Sequence, residues 1–170
     1  MAKVNVSKDL EQKTLTIETI IAGPKDKVWQ AFTEKEYFEK WWGPEGWDTT
    51  TKEFNFEAGG KIHYGMKCVD KSQGEWYGQE AWALMEIKEI NPKDSFTYID
   101  YFCKEDDNDE IDTNMPTMTV TNEFIAEGDN TKLISTTKAD TVEQLEQVLE
   151  MGMAEGLASQ LDKLDALLAK

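Results

Sequence analysis

Thr141–Lys170 reads TVEQLEQVLEMGMAEGLASQLDKLDALLAK. Leu145, Leu149, Met153, Leu157, Leu161, Leu164 and Leu168 recur at intervals of three or four with no proline among them. That period puts one apolar stripe along a helix of roughly 28 residues, about 42 Å long. Thr141 and Gln144 supply the T-x-x-Q opening that satisfies free amides at a helix start. Gly152 and Gly156 interrupt the pattern beside the stripe, and each costs about 1 kcal/mol against alanine within a helix. The compensation expected is close approach of a strand or a ligand at the helix midpoint.

Upstream of this rod the period changes to two. In "KIHYGMKCV", Ile62, Tyr64 and Met66 alternate with Lys61, His63, Gly65 and Lys67, which predicts one buried and one wet face, with His63 on the wet one. "WDTTTKEFNF" before it, a long strand from about Glu75 to Ile90 and "SFTYIDYFC" after it read as further strands. "DKSQG" reads as a hairpin loop, and a bulge near Gly78 would reconcile the faces of the long strand. "TMTVTNEFIAEGDNTKLISTTKA" gives two more strands around a turn in which Gly128 can take a positive φ.

The first ordered element is expected at Lys13–Gly23, which makes residues 1–12 a flexible lead-in and residues 13–170 one domain. Two short helices follow. Pro24 suits the first helical position of one, and Thr33–Glu36 forms a T-x-x-E box for the other. The order is strand, two short helices, six strands, one long helix. A curved antiparallel sheet gripping an amphipathic terminal helix satisfies it, an α+β architecture.

Between the short helices and the sheet lies "YFEKWWGPEGWDTTT", Tyr37–Thr51, with three of the chain's six tryptophans. Trp41 and Trp42 are about 100° apart on a helix, so one is expected to pack inward and the other to border an entrance. Plugging a core and lining a cavity are both open to these rings.

The net charge of −16 repels phosphate backbones and anionic headgroups, so neither a nucleic acid nor a membrane is an expected partner. No apolar run is long enough for a signal peptide or a membrane span, so the chain is expected in the cytoplasm. Cys68 and Cys103 have no CxxC spacing and read as reduced thiols on strands. With His63 as the one histidine, neither a metal site nor a histidine-based catalytic group is expected. The loop "KEDDNDEIDTN" offers Asp106, Asn108, Glu110 and Asp112 at alternate positions. Ile111 and Thr117 stand where a calcium loop needs glycine and glutamate, so a solvated acidic loop is the expected reading.

Taken together, Pro24, "VWQAFT" (28–33), "WWGPEGW" (41–47), "AGGKIHYGM" (58–66), "EINPKDSFTY" (89–98), "GDNTKL" (128–133) and the glycine-bearing tail resemble a known group. The order of elements is similar to the START-like, helix-grip superfamily, also called SRPBCC or birch-pollen-allergen-like. Within it the sequence resembles the family named for the activator of the heat-shock-protein-90 ATPase. It departs from that family at Lys93 and Ser95, where a second proline and an arginine are usual. The resemblance implies a cavity between sheet and terminal helix that encloses a small hydrophobic or aromatic molecule, with no cofactor. Lipid binding and a stress-response role belong to the same expectation.

The residues expected around such a ligand are Phe38, Trp41 and Trp42 from the short helices and Ile62, Tyr64, Met66 and Tyr98 from the sheet. Met118, Val120 and Phe124 on a later strand join them, and Met153 and Leu157 face them from the helix. Tyr98, Asn122 and His63 are the polar groups expected to orient a guest. No catalytic residue is assigned. Glu80, Glu86 and Asp100 are carboxylates on aromatic-rich strands, any of which could act as acid or base if buried. Two alternatives stay open: a co-chaperone-like regulator that contacts a chaperone, and an enzyme of cyclase or hydrolase type using a cavity carboxylate. A monomer or weak dimer is expected.

Overall fold

The computed structural model describes residues 4–104 and 110–169. In chain order the elements are β1 (Val4–Asp9), β2 (Thr14–Ile21), α1 (Lys25–Thr33), α2 (Lys35–Trp41), β3 (Trp47–Phe54) and β4 (Lys61–Cys68). There follow β5 (Glu80–Asn91), β6 (Ser95–Phe102), β7 (Met118–Glu127), β8 (Asn130–Ala139), α3 (Val142–Glu150) and α4 (Met153–Leu168). The strands form one antiparallel sheet in the order β1-β2-β8-β7-β6-β5-β4-β3. The helices cover one face of it. Alternation decides which residues meet them: Leu15, Ile17 and Ile21 on β2, Val120 and Phe124 on β7, and Leu133 on β8 are all buried.

Beneath α1 and α2 this interior is solid. Phe32 packs against Trp41 at 4.6 Å and Phe124 at 5.0 Å between ring centroids, and Phe96 joins Phe124 at 6.1 Å. Leu161 and Leu164 of α4 close the same cluster from above. Rings in offset and edge-on contact contribute beyond their buried area.

Five local expectations are corrected. Residues 4–9, expected to be flexible, pair along their whole length with β2, from Val4 opposite Thr19 to Asp9 opposite Thr14. The box at Thr33–Glu36 does not form, because Thr33 ends α1 and its hydroxyl donates to the Trp29 carbonyl at 2.8 Å. The cap of α2 falls to Glu34, without a side-chain bond. The long strand starts at Glu80, not near Glu75, since Lys71–Trp76 is a 3-10 segment capped by Asp70, and Gly74 and Gly78 turn the chain at positive φ. The bulge in that strand lies between Ile87 and Glu89. His63 is 4% exposed, not wet: it lies beside the Trp82 ring, 5.3 Å away, on the face of the sheet opposite the helices. Trp82 can lie there because Gly65, its partner across the strands, has no Cβ; one would come within 2.7 Å of the indole.

The fifth correction concerns the tail. It is two helices, not one, and the break is Gly152 at φ +85°. Thr141 does accept from the Gln144 amide at 3.1 Å, as the opening predicts. The two glycines therefore have different causes. Gly152 holds a left-handed conformation that side chains resist, whereas Gly156 is helical and a Cβ there would meet nothing within 4 Å. Gly152→Ala is expected to cost about 1–2 kcal/mol, and Gly156→Ala to stabilise by up to about 1 kcal/mol, as urea unfolding would show.

Candidate functional site

Where α3 meets α4, the space between helices and sheet is not filled. A cavity of about 320 Å³ opens there. Its floor comes from alternate residues of the central strands: Tyr64 and Met66 on β4, Tyr98, Asp100 and Phe102 on β6, Met118, Val120 and Asn122 on β7. Ser135 and Thr137 of β8 extend it, and Met153, Gly156, Leu157 and Gln160 of α4 form the roof. Met151 and Gly152 sit at the break itself.

The aromatic stretch at 37–51 divides between core and cavity. Trp41 is fully buried and its indole N–H donates to the Ala31 carbonyl at 2.8 Å, which fixes α2 against α1. Trp42 turns the other way, stacks on Phe38 at 4.8 Å and lines the cavity. The turn after it is tied to α4. The Gly43 amide donates to Gln160 Oε1 at 2.9 Å, the Glu45 amide to Ser159 Oγ at 2.7 Å, and Lys163 Nζ to the carbonyls of Gly43 and Trp47. Burial lowers the pKa of that ammonium, against the pull of Glu45 and Asp48. Gly43 and Gly46, both at positive φ, make the bend that allows these contacts.

Of the three carboxylates singled out on the strands, the structure brings one inside. Glu80 is exposed. Glu86 is paired with Lys88 at 2.8 Å, and its carboxyl is lowered chiefly by that hydrogen bond. Asp100 lies on the cavity floor, between Met85 on β5 and Met118 on β7. Its Oδ1 is sealed from solvent and has no hydrogen-bond partner. Burial lifts its carboxyl to about 7. The phenols of Tyr64 and Tyr98 are pushed well above their ordinary range, first by burial and then by the nearby negative Asp100; for Tyr64 a hydrogen bond donated by the Trp42 indole opposes this. Both are neutral donors at any physiological pH.

Eight of the twelve residues expected around a ligand line the cavity: Trp42, Tyr64, Met66, Tyr98, Met118, Val120, Met153 and Leu157. The other four, Phe38, Trp41, Ile62 and Phe124, belong to the packed core. They share faces with lining residues but sit under α1 and α2, where rings fill the space. Of the orienting groups, Tyr98 and Asn122 reach the cavity, and His63 is on the opposite face of the sheet. Ser135, Thr137 and Phe102 were missed, although steps of two from Leu133 and Asp100 point to them. Gln160, Val148 and Met151 had no comparable signal. In the acidic loop, Asp106 and Asn108 lie outside the described residues, Glu110 pairs with Lys104 at 3.0 Å, and Asp112 accepts from the Asn114 amide. Among the described residues no helix is long and apolar enough to cross a membrane. Neither Cys68 nor Cys103 is in a disulfide; the first is buried at the end of β4 and the second lies just past β6.

The family of activator of Hsp90 ATPase homolog 1-like proteins matches residues 22–169. The chain belongs to that family. Its fold is the helix-grip fold of solved relatives. One is protein Ms6760 from Mycobacterium smegmatis, with 30% identity, a TM-score of 0.84 and coverage of 98% of this chain and 97% of that one. A protein from Arthrobacter aurescens has 25% identity and a TM-score of 0.85, covering 97% and 91%. One from Staphylococcus epidermidis has 26% identity and a TM-score of 0.80, covering 97% and 93%. No curated protein matches the chain. In this family member, the Gly-Pro turn after the paired tryptophans and the break in the tail flank the same cavity.

Proposed function

We propose that this family member is a binding module whose guest is a small apolar or aromatic molecule held between the sheet and the two terminal helices. The observation that carries the reading is the cavity itself. Its volume of about 320 Å³ falls at the lower end of the range for small-molecule sites, roughly 300–1,000 Å³. The wall is mostly apolar, with methionines at Met66, Met118, Met151 and Met153 that adapt to irregular shapes. A few polar groups, among them Asn122 and Gln160, are available to orient what enters. Burial of the guest's apolar surface, worth roughly 25 cal/mol per Å², supplies the affinity. Family membership supports a ligand-binding or chaperone-contacting module, and contact with a chaperone rests on that membership alone.

Gly156 gives the test. Its Cα faces open space in the roof, so Gly156→Leu puts a side chain into the cavity without a backbone clash. A solvatochromic dye titrated into the wild type should brighten and be displaced by one- or two-ring aromatic compounds. The variant should bind at least about tenfold more weakly while melting within a few degrees of wild type. A wild type that neither brightens the dye nor responds to a panel of flavonoids, fatty acids and simple aromatics would defeat the proposal.

A further inference from the structure

We propose that Asp100 is a counter-ion site, so that the preferred guest is a small apolar or aromatic amine bound as its ammonium, and carboxylates are refused. The inference rests on the reading that the cavity takes a guest, and adds the guest's charge.

The geometry begins with Asp100 Oδ1. Buried polar atoms are nearly always hydrogen-bonded, and one without a partner calls for a reason. Among the described side chains only two others share this state, His63 Nε2 and Gln144 Oε1, and neither residue lines the cavity. Asp100 does. Oδ1 itself is closed off, but the residue is half-buried and borders the cavity, so a guest would reach a carboxylate that has no partner within the protein.

The sign of that donor follows from what else surrounds Asp100. All eighteen basic residues of the chain are lysines. None of the described ones lines the cavity, and neither does the histidine. Across the strands Asp100 faces Met85 and Met118. The titratable groups near it are the phenols of Tyr64 and Tyr98, which can add negative charge but no positive charge. α4 presents Met153, Leu157 and Gln160, and α2 with its turn presents Trp42 and Pro44. One positive pole remains, the amino end of α4, and Glu155 in its first turn folds back over it, with Oε2 3.9 Å from where a Gly152 Cβ would be. A carboxylate guest would enter a second negative charge into this enclosure with nothing to pair it. An ammonium would complete it.

Two further observations agree. Trp42, Tyr64, Tyr98 and Phe102 bring aromatic rings to the same wall, and the faces of such rings attract ammonium groups. The net charge of −16 raises the local concentration of cations and lowers that of anions. Burial has lifted the Asp100 carboxyl to about 7, so below that pH an amine competes with a proton for the carboxylate. Amine affinity should fall with acidity, while that of a neutral guest should not.

The test uses three probes on one carbon frame, 3-phenylpropylamine, 3-phenylpropan-1-ol and 3-phenylpropionate, titrated calorimetrically into the full chain. At pH 8 the amine should bind at least about tenfold tighter than the alcohol, and the propionate at least about tenfold weaker than it, as expected for gain or loss of a charge-assisted bond. Between pH 8 and pH 6 the amine should weaken by about tenfold, while the alcohol holds constant. In Asp100→Asn the amine should drop to the level of the alcohol. The pH series on the wild type stands even if that variant misfolds. Equal binding of amine and alcohol at pH 8, or an amine affinity indifferent to both pH and the substitution, would overturn the counter-ion role and leave the hydrophobic guest intact. Failure of all three probes to bind would remove both.

Discussion

Asp100→Asn is expected to raise the melting temperature at pH 8 by roughly 10 °C, and to leave it unchanged at pH 3.5. The cause is a half-buried carboxyl among apolar neighbours whose folded pKa, about 7, stands above the ordinary 3.8. Between those two values the folded chain keeps a proton that the unfolded chain has released. Stability therefore falls as pH rises through that window, and above about 7 the whole cost is felt. An upward displacement of about three units corresponds to about 4 kcal/mol. Asparagine keeps the shape of the side chain and cannot ionise, so it escapes the penalty. Below the ordinary carboxyl value both states are protonated and wild type and variant should coincide. Thermal melts from pH 3.5 to pH 8 would show two curves that meet at the acid end and diverge above it. Parallel curves would mean that Asp100 does not carry the burden assigned to it.

The paired tryptophans should separate just as clearly. Trp41→Ala removes a fully buried ring that touches Phe32 and leaves the Ala31 carbonyl without its donor. A loss of about 3–5 kcal/mol is expected, large against the total stability of a domain this size. Trp42→Ala removes a half-buried ring from the cavity wall. It should cost distinctly less stability and weaken guest binding severely, because the wall then opens beside Tyr64. Urea unfolding and dye titration on the two variants read the two effects independently. A Trp42→Ala variant that binds as wild type does would place the guest elsewhere.

The sheet was legible because alternation is strong in β4 and β7, where Ile62, Tyr64 and Met66, then Met118, Val120 and Phe124, fall on one face as the period requires. The paired order of the last two strands followed from Gly128 at the turn, whose φ of +63° is the conformation that glycine supplies. Breaks were harder to read. Nothing local marks residues 4–9 as a strand: their pairing is set by β2, and all but Val4 remain exposed. Trp76 looked like the start of a long strand because tryptophan favours strands, yet it is 60% exposed on a 3-10 segment. His63 alternates with apolar neighbours and so reads as wet, but the outer face of the sheet is itself partly dry there, covered by Trp82. That covering depends on Gly65 lying opposite, a relation between two strands that no single stretch contains.

For the cavity, the same alternation identified most of the floor, and it could not tell floor from plug. Tyr64 and Ile62 are two residues apart on one face, and only the position of α2 above them decides that one borders empty space and the other does not. Asp100 stood out as a carboxylate among aromatics. Its solitude was not legible, since that depends on the lysines of the neighbouring elements all pointing away from the cavity.

The residue at 152 also decides how the two terminal helices are joined. The first backbone bond of α4 runs from the Gly156 amide to the Gly152 carbonyl, while the Gly152 amide points back to Leu149. The two rods thus share no ladder across the joint, and the nine residues of α3 can tilt while the sixteen of α4 stay docked on the turn at Gly43. What such a tilt must overcome is the seating of Leu145 and Val148, a matter of greasy contact and not of severed amide bonds. A tilt of α3 would therefore leave the sheet and the docked α4 undisturbed.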